Sequence, residues 1–376
     1  MFAKFFRAAT LTGGSWSAFT DDFLFATDKV VSYEYTKRFT KTGSFTLTLP
    51  FVKAWLTQLM VNGMVYYDGD WLWIQGISYD GRTITLSGTD AKGLLGTRVS
   101  LFNFDEEAEP GTQGYDVVSG TTKECIRHYI TNNVAVGLCQ AGRELPITAF
   151  SGADGLADDS YMVRLEYLSN IVTSLCENAG IGYDVTGQLS GAGFRLTTIQ
   201  GTDRSFSQNE VPRVIFSPNR RNVRSMSCEH GVENLYNVVY GVDSNETVGV
   251  TYRDGNGDTQ LARRECTTSI SEITVSDPLF DKYALHQIKD NTASHSYTIE
   301  AAVSSGYDSV YFLGDIVSVQ DIYTGNMVSY RITEAAKSYS SGQRTLSLVF
   351  GMPKQKPLEK IVSSFISGTL RRRWVK

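Results

Sequence analysis

The chain has 376 residues, 41% hydrophobic and 20% charged, a composition ordinary for a soluble globular protein, and its length predicts about two to four domains. A net charge of −5 argues against a general nucleic-acid binder, and no apolar run approaches the ~20 residues of a membrane-spanning helix. The 20 tyrosines and 19 phenylalanines suit β structure.

The opening stretch from Met1 to Arg7 is basic and apolar. Arg7 interrupts it and no apolar h-region follows, so it is not read as a signal peptide, and the chain is expected to fold in a cytoplasm. On that reading the sequon at Asn245 carries no glycan. Val30 to Phe39 alternates as a strand, with Val31, Tyr33 and Tyr35 on one face. Ser44 to Leu49 alternates strictly and stops at Pro50, which has no amide hydrogen for a ladder. Phe51 to Leu59 reads as a short amphipathic helix. Trp71 to Tyr79, an Asp80-Gly81 turn and Thr83 to Ser87 complete a closed or nearly closed sheet.

The acidic, turn-rich run from Asp105 to Gly111 is expected to be an exposed loop. Thr121 and Glu124 form a capping box for a helix whose apolar face is Ile126, Tyr129, Ile130 and Val134. A second helix is expected from about Met162 to Ala179, with Gly180 as its C-cap. Strands resume at Asn222 to Ser227, Leu235 to Tyr240, Val248 to Tyr252 and Gln260 to Glu265. Leu279 to Asn291 reads as a helix, and His295 to Val303 as a strand. The closing run, Tyr311 to Gly351, is a succession of alternating strands separated by turns at Thr324-Gly325-Asn326 and Ser340-Ser341-Gly342. Its last hairpin repeats the earlier one: a turn, then Arg-Thr, then alternating apolar and hydroxyl residues, then Gly. The expected architecture is mainly β with an α+β insertion. A first β domain occupies 1–105, the insertion 106–213, a second β domain 214–353, and an amphipathic tail 354–376.

No motif for catalysis emerges. There is no nucleophile elbow and no phosphate-binding loop. His128, His230, His286 and His295 lack metal-site spacing, and Cys125, Cys139, Cys176, Cys228 and Cys266 include no C-x-x-C pair, so free, buried thiols are expected. Asp254, Asn256, Asp258 and Glu265 imitate a calcium loop, but Thr259 stands where the turn requires Gly, and Asn256-Gly257 reads as a hairpin turn. Arg213, Arg220, Arg221 and Arg224 could meet phosphate, although a solvated or subunit-contacting loop suits them better. Trp71 and Trp73 could serve a carbohydrate-binding face; their alternation in a strand favours packing. The chain is expected not to be an enzyme and to require no cofactor and no metal.

Several segments, taken in order, carry a resemblance. They are Phe45 to Pro50, Ile77 to Gly88, the run Gly88-Thr89-Asp90-Ala91-Lys92-Gly93 continuing to Arg98, Leu313-Gly314-Asp315-Ile316-Val317, and Tyr330 to Glu334. Over about residues 1 to 353 the chain resembles the tail-hub proteins of bacteriophages, the siphophage tail-associated hub family. That family is similar in fold to the baseplate hub of contractile tails. The resemblance implies two tail-tube-like β-barrels flanking the mixed domain, and a homotrimer that presents a pseudo-sixfold face to a hexameric tail tube. It implies as partners a distal tail protein or tail tube ring, a tape measure protein, and a tail tip spike or receptor-binding protein. DNA would pass through without specific binding, at the tail tip of a virion assembled in the bacterial host cytoplasm. Because the chain stops soon after the second barrel, no receptor-binding or lytic domain is expected on it. The alternatives are a baseplate hub of a contractile injection system or tailocin, and a cell-wall-binding or cell-wall-degrading tail enzyme.

Beyond Pro353, Leu358, Ile361, Val362, Phe365 and Ile366 share one face of a possible helix, ahead of Arg371, Arg372 and Arg373. Leaving such a stripe in water costs roughly 1.5 kcal/mol or more per large side chain. It is expected to dock on a neighbouring subunit or a tail-tip protein, with the arginines at the rim; packing on the insertion is the main alternative, and a membrane-surface helix is disfavoured because the basic residues are bunched at the end.

Overall fold

A computed structural model of the chain describes residues 2–101, 116–155, 157–163, 165–231, 235–243, 245–253, 260–270, 274–278, 280–287, 294–302 and 306–352. The acidic run at Asp105, the turn from Asp254 to Asp258 and the whole tail, including Leu358, Ile361, Val362, Phe365, Ile366, Arg371, Arg372 and Arg373, lie outside these residues. Two compact units result. One comprises Met1–Met226 with Ile299–Val349, and the other Ser227–Thr298 with the chain from Phe350.

The first unit opens with β1 (Ala3–Phe6), the small hairpin β2 (Leu11–Thr12) and β3 (Ser15–Trp16), and β4 (Phe23–Thr27). Then follow β5 (Ser32–Arg38), β6 (Ser44–Pro50), the one-turn helix α1 (Lys53–Leu56), β7 (Met64–Tyr67), β8 (Asp70–Tyr79) and β9 (Thr83–Asp90). Period-two alternation does what it predicts. Tyr33, Tyr35, Phe45, Leu47 and Leu49 are buried in one core, while Glu34, Ser44 and Thr46 face outward. Pro50 is the last residue of β6. The helix expected from Phe51 to Leu59 shrinks to four residues, too short to propagate.

The segment expected as an insertion, which falls within the first unit, contains β10 (Asp116–Thr121), α2 (Thr122–Val134), β11 (Ile147–Gly152), β12 (Ala157–Val163), α3 (Leu168–Ala179), β13 (Gly182–Thr186) and β14 (Phe194–Ile199). Helix α3 starts later than expected because Met162 and Val163 are held in the β10·β12 ladder. Its C-cap is Gly180 at φ 65°. Apolar faces of α2 and α3 (Ile126, Tyr129, Ile130, Ile171, Val172 and Leu175) share one core with Phe6, Phe19, Trp71 and Trp73. The capping box at Thr121 and Glu124 is formed in both directions. Thr121→Ala is therefore expected to lower stability by about 1 kcal/mol in urea denaturation. An unchanged midpoint would mean that the cap carries no weight.

The chain continues through β15 (Ile215–Phe216), β16 (Val223–Gly231), β17 (Val238–Asp243), β18 (Val248–Tyr252), β19 (Glu265–Ile270), α4 (Phe280–Gln287), β20 (Ser294–Ala301), β21 (Ile316–Gln320), β22 (Met327–Ser340) and β23 (Gln343–Met352). In the second unit β17 lies between antiparallel β18 and parallel β19, and Phe280 and Ala284 of α4 pack on Val239 and Ile270. The strand expected over Gln260 to Glu265 is a 3-10 turn at Gln260–Ala262, and the strand begins only at Glu265.

The molecule is mainly β, and its strand order is duplicated. In the first half the pairing runs β5-β6-β9-β8-β7, and in the second β16-β20-β23-β22-β21. Each copy places its closing hairpin, β8–β9 or β22–β23, at the same position in that succession. The barrels do not close among the described residues. All these strands except β21 lie on one open path from β16 to β4, and β21 branches from β22. The path stays open because β5 bonds to β22 of the other copy, from Glu334↔Arg38 to Ser340↔Ser32, instead of turning back on its own.

Candidate functional site

The β5·β22 junction positions most of the unusual chemistry of the first unit. Alternation sends Tyr33, Tyr35 and Lys37 of β5 inward, together with Ala335, Lys337 and Tyr339 of β22. Lys37 Nζ lies 2.6 Å from Asp70 Oδ1 and 2.7 Å from Asp184 Oδ2, so one ammonium ties β5 to β8 and to the insertion. Lys337 Nζ lies 2.7 Å from Asp308 and 3.3 Å from Asp68. Lys92 is fully buried, donates to the Arg38 carbonyl at 2.5 Å, sits 3.8 Å from Asp90 and stands over the Tyr183 ring. Asp90 in turn accepts from the Gly43 amide at 3.0 Å.

Electrostatics follow from this packing. Burial pushes the Asp70 and Asp90 carboxyls above the usual range, against the pull of Lys37 and Lys92 respectively. Burial would also raise Asp184, but Lys37 and Lys92 outweigh it and hold that carboxyl below its ordinary value. Lys37 is held well above the ordinary lysine value, because Asp184 and Asp70 overcome the penalty of burial. With its lysines closed on carboxylates or a carbonyl, this arrangement can clamp three segments together; it presents no activated nucleophile.

Two motifs of the sequence have physical explanations here. In Gly88-Thr89-Asp90-Ala91-Lys92 the acid and the lysine form the buried pair just described. In Gly314-Asp315, Asp315 is buried and accepts from the Thr202 amide at 2.7 Å, Arg204 Nε at 2.9 Å and the Phe312 amide at 3.0 Å. That one carboxylate fastens the segment leaving the insertion to the second copy.

The other face of the sheet is of a different kind. Ser338, Glu34, Thr46 and Ser87 form one row across four strands, and Ser340, Ser32, Thr48 and Thr85 the next. These side chains are exposed or half-buried. The lysines of β5 and β22 point to the opposite side. Arg38, which alternation puts on this face, is paired with Glu334 at 3.1 Å. Across these four strands, among the described residues, the face is thus hydroxyl-lined and short of free positive charge.

The remaining sequence candidates are dispersed. Trp71 and Trp73 are buried, and Trp71 donates its indole N–H to the Gly187 carbonyl at 2.7 Å, so they pack and are not a carbohydrate platform. His128 bonds to Asp116 at 2.7 Å. Arg213 turns back onto Gln208 and Asn209, so the arginines do not converge on a phosphate site. Cys125 and Cys176 are buried, and Cys139, Cys228 and Cys266 are half-buried. Residue-type motifs gave no sign of Lys37 and Lys337; the period-two signal carried one step beyond Tyr33 and Tyr35 would have placed Lys37 inside.

The family model described as Siphovirus ReqiPepy6 Gp37-like protein matches residues 22–352. Among solved structures, a tail protein from Neisseria meningitidis MC58 is similar at a TM-score of 0.55 and 16% identity, over 93% of this chain and 96% of that one. The prophage MuSo2 43 kDa tail protein from Shewanella oneidensis gives 0.54 and 13% identity, over 93% and 98%. Prophage tail protein gp18 from Listeria monocytogenes EGD-e gives 0.53 and 10% identity, over 99% and 100%. At these identities the likeness is one of fold. No curated protein matches the chain in sequence.

Proposed function

The chain belongs to the Siphovirus Gp37-like family, and on that premise we propose that it is a structural hub at the distal end of a phage tail. Three copies form a ring that joins the tail tube to the tail tip. The observation that carries this reading is the duplicated strand order, β5-β6-β9-β8-β7 and β16-β20-β23-β22-β21. A chain with two copies of one sheet unit turns three subunits into six similar positions, which matches a hexameric tube without a sixfold homo-oligomer.

The hydroxyl face supports the conduit part of the proposal. Duplex DNA binds proteins chiefly through free lysine and arginine on phosphate, with steep salt dependence. A lumen lined by this face would lack those groups. The row Ser338, Glu34, Thr46 and Ser87 offers hydroxyls and a carboxylate, so DNA slides past without being held. The hub acts without catalysis, and any lytic activity belongs to a partner. Its partners are the distal tail protein or tube ring, the tape measure protein, and a tip spike or receptor-binding protein. The tail residues Leu358, Ile361, Val362, Phe365 and Ile366 dock on a sister subunit or tip protein, with Arg371, Arg372 and Arg373 at the rim.

Mass photometry tests the ring directly. The expected species has three times the 41.6 kDa chain mass; a chain that stays monomeric at micromolar concentration overturns the reading. Deleting residues 354–376 should leave the melting temperature of the isolated chain unchanged and impair association. A lower melting temperature with intact assembly would make the tail a core element instead.

A further inference from the structure

We propose that neighbouring copies of the chain join edge to edge, β16 of one against the outer half of β8 of the next, and that this joint reproduces the β5·β22 junction inside each chain. The inference rests on the ring reading above and adds the surface that closes it.

The duplication supplies the geometry. Strand β5 corresponds to β16, and β8 to β22, by their places in the two successions. Strand β22 is shared lengthwise on its outer side. Met327 to Arg331 pairs with β21, and Glu334 to Ser340 pairs antiparallel with β5. Strand β8 has only the first of these partners. Asp70 to Trp73 pairs with β7, and among the described residues no strand lies along that side from Gln75 to Tyr79. Strand β16 stands at the end of the sheet path, and among the described residues β20 is the one strand beside its Val223–Met226 part. Each chain therefore has one filled junction and the two unmatched halves of a second.

Side chains agree with this reading. Tyr339 and Tyr79 hold equivalent places before the hairpin turns. Tyr339 is half-buried where β5 lies across it, opposite Tyr33, whereas Tyr79 is 63% exposed. Gln75 and Ser78 are exposed as well. An unpaired, partly apolar edge is a pairing template, and native proteins cover or charge such edges. No Lys or Arg occurs from Gln75 to Tyr79 to block pairing. The occupant is a second copy of this chain because its Val223–Met226 edge is the duplicate of the strand that fills the equivalent slot. Joined this way, every copy offers one β16 edge and accepts one, so the contact is head to tail and closes only as a ring.

The test uses the full-length chain. Gln75→Lys with Tyr79→Lys charges the β8 edge at two exposed positions. The double variant should melt like the unaltered chain yet read as a single-chain mass where the unaltered chain reads as three. In parallel, Ile77→Cys with Ser225→Cys should give disulfide-linked chains on a non-reducing gel, which neither single variant gives. If the lysine variant still forms rings and the cysteine pair does not cross-link, the joint lies elsewhere and the inference is overturned while the ring stands. If the unaltered chain is monomeric, the ring reading itself fails and the joint with it.

Discussion

Replacing Lys37 by methionine should destabilise the first unit by about 3 kcal/mol at pH 7, the low end of the range for removing one partner of a buried ion pair. The variant leaves Asp70 and Asp184 packed together without the ammonium that lies within 2.7 Å of both. The cost stays at the low end because Asp184 keeps the field of Lys92 and Asp70 keeps Lys337 at 4.0 Å. The pH dependence has a definite sign. Lys37, held above its ordinary value, contributes fully below the unfolded lysine pKa, and that contribution is lost as pH rises through the folded value. Asp184, held low, contributes above the unfolded carboxyl pKa, and its contribution is lost as pH falls through the folded value. Asp70, raised by burial, works the other way, since acid relieves the cost of its charge. Without Lys37 both carboxyls shift upward, so acid relieves both. The deficit against the unaltered chain should therefore shrink between pH 7 and about pH 4.5, near the ordinary carboxyl range. Urea midpoints at the two pH values measure this, and a deficit that is equal or larger in acid contradicts the clamp.

The readability of the fold and of the site differed for a physical reason. Alternation in β5 and β6, the capping box at Thr121 and the αL cap at Gly180 are local, and local rules placed them. The repeated hairpin pointed to a duplication that strand order makes visible. Closure is not legible in the sequence because it depends on one non-local choice: Arg38 pairs with Glu334, 296 positions away. Nothing near β5 in sequence states whether its free edge meets its own copy or the other. Lys37, Asp70, Asp184 and Lys337 posed the same difficulty. Each is an ordinary charged residue in its own segment, and only the fold brings them within bonding distance. Asp315 stands in the run Leu313-Gly314-Asp315-Ile316-Val317, but its role depends on Thr202 and Arg204, over a hundred residues earlier. Chemistry that joins segments is carried by pairs, and a single sequence displays its residues one at a time.

Phe39→Ala should be among the most damaging single changes in the first unit, with a loss of about 3–5 kcal/mol. Phe39 follows β5 directly and is 4% exposed. Its amide donates to the Thr333 carbonyl at 2.9 Å, and its carbonyl accepts from the Tyr183 amide at 3.1 Å, so its backbone alone ties the second copy to the insertion. The ring is seated between two glycines. A Cβ added to Gly182 would overlap its Cδ2 and Cε2, and one added to Gly314 would overlap its Cε2. Over the ring stands the Arg331 guanidinium at 5.1 Å, which also donates to the Gln200 and Gly314 carbonyls. Truncation to alanine keeps both backbone bonds but empties this seat, and the glycine walls have no side chains with which to refill it. Gly314→Ala attacks the same contact from the other side. It drives a methyl into the ring at a residue whose φ of +95° already disfavours any side chain, so it should cost several kcal/mol as well. Phe39→Leu, which keeps most of the volume, should lose less than half as much as Phe39→Ala. Urea denaturation read by tryptophan fluorescence follows all three, since Trp71 and Trp73 lie in the insertion core of the same unit. A loss below about 1 kcal/mol for Phe39→Ala, the scale of an ordinary surface change, would show that the copies and the insertion are held together without it.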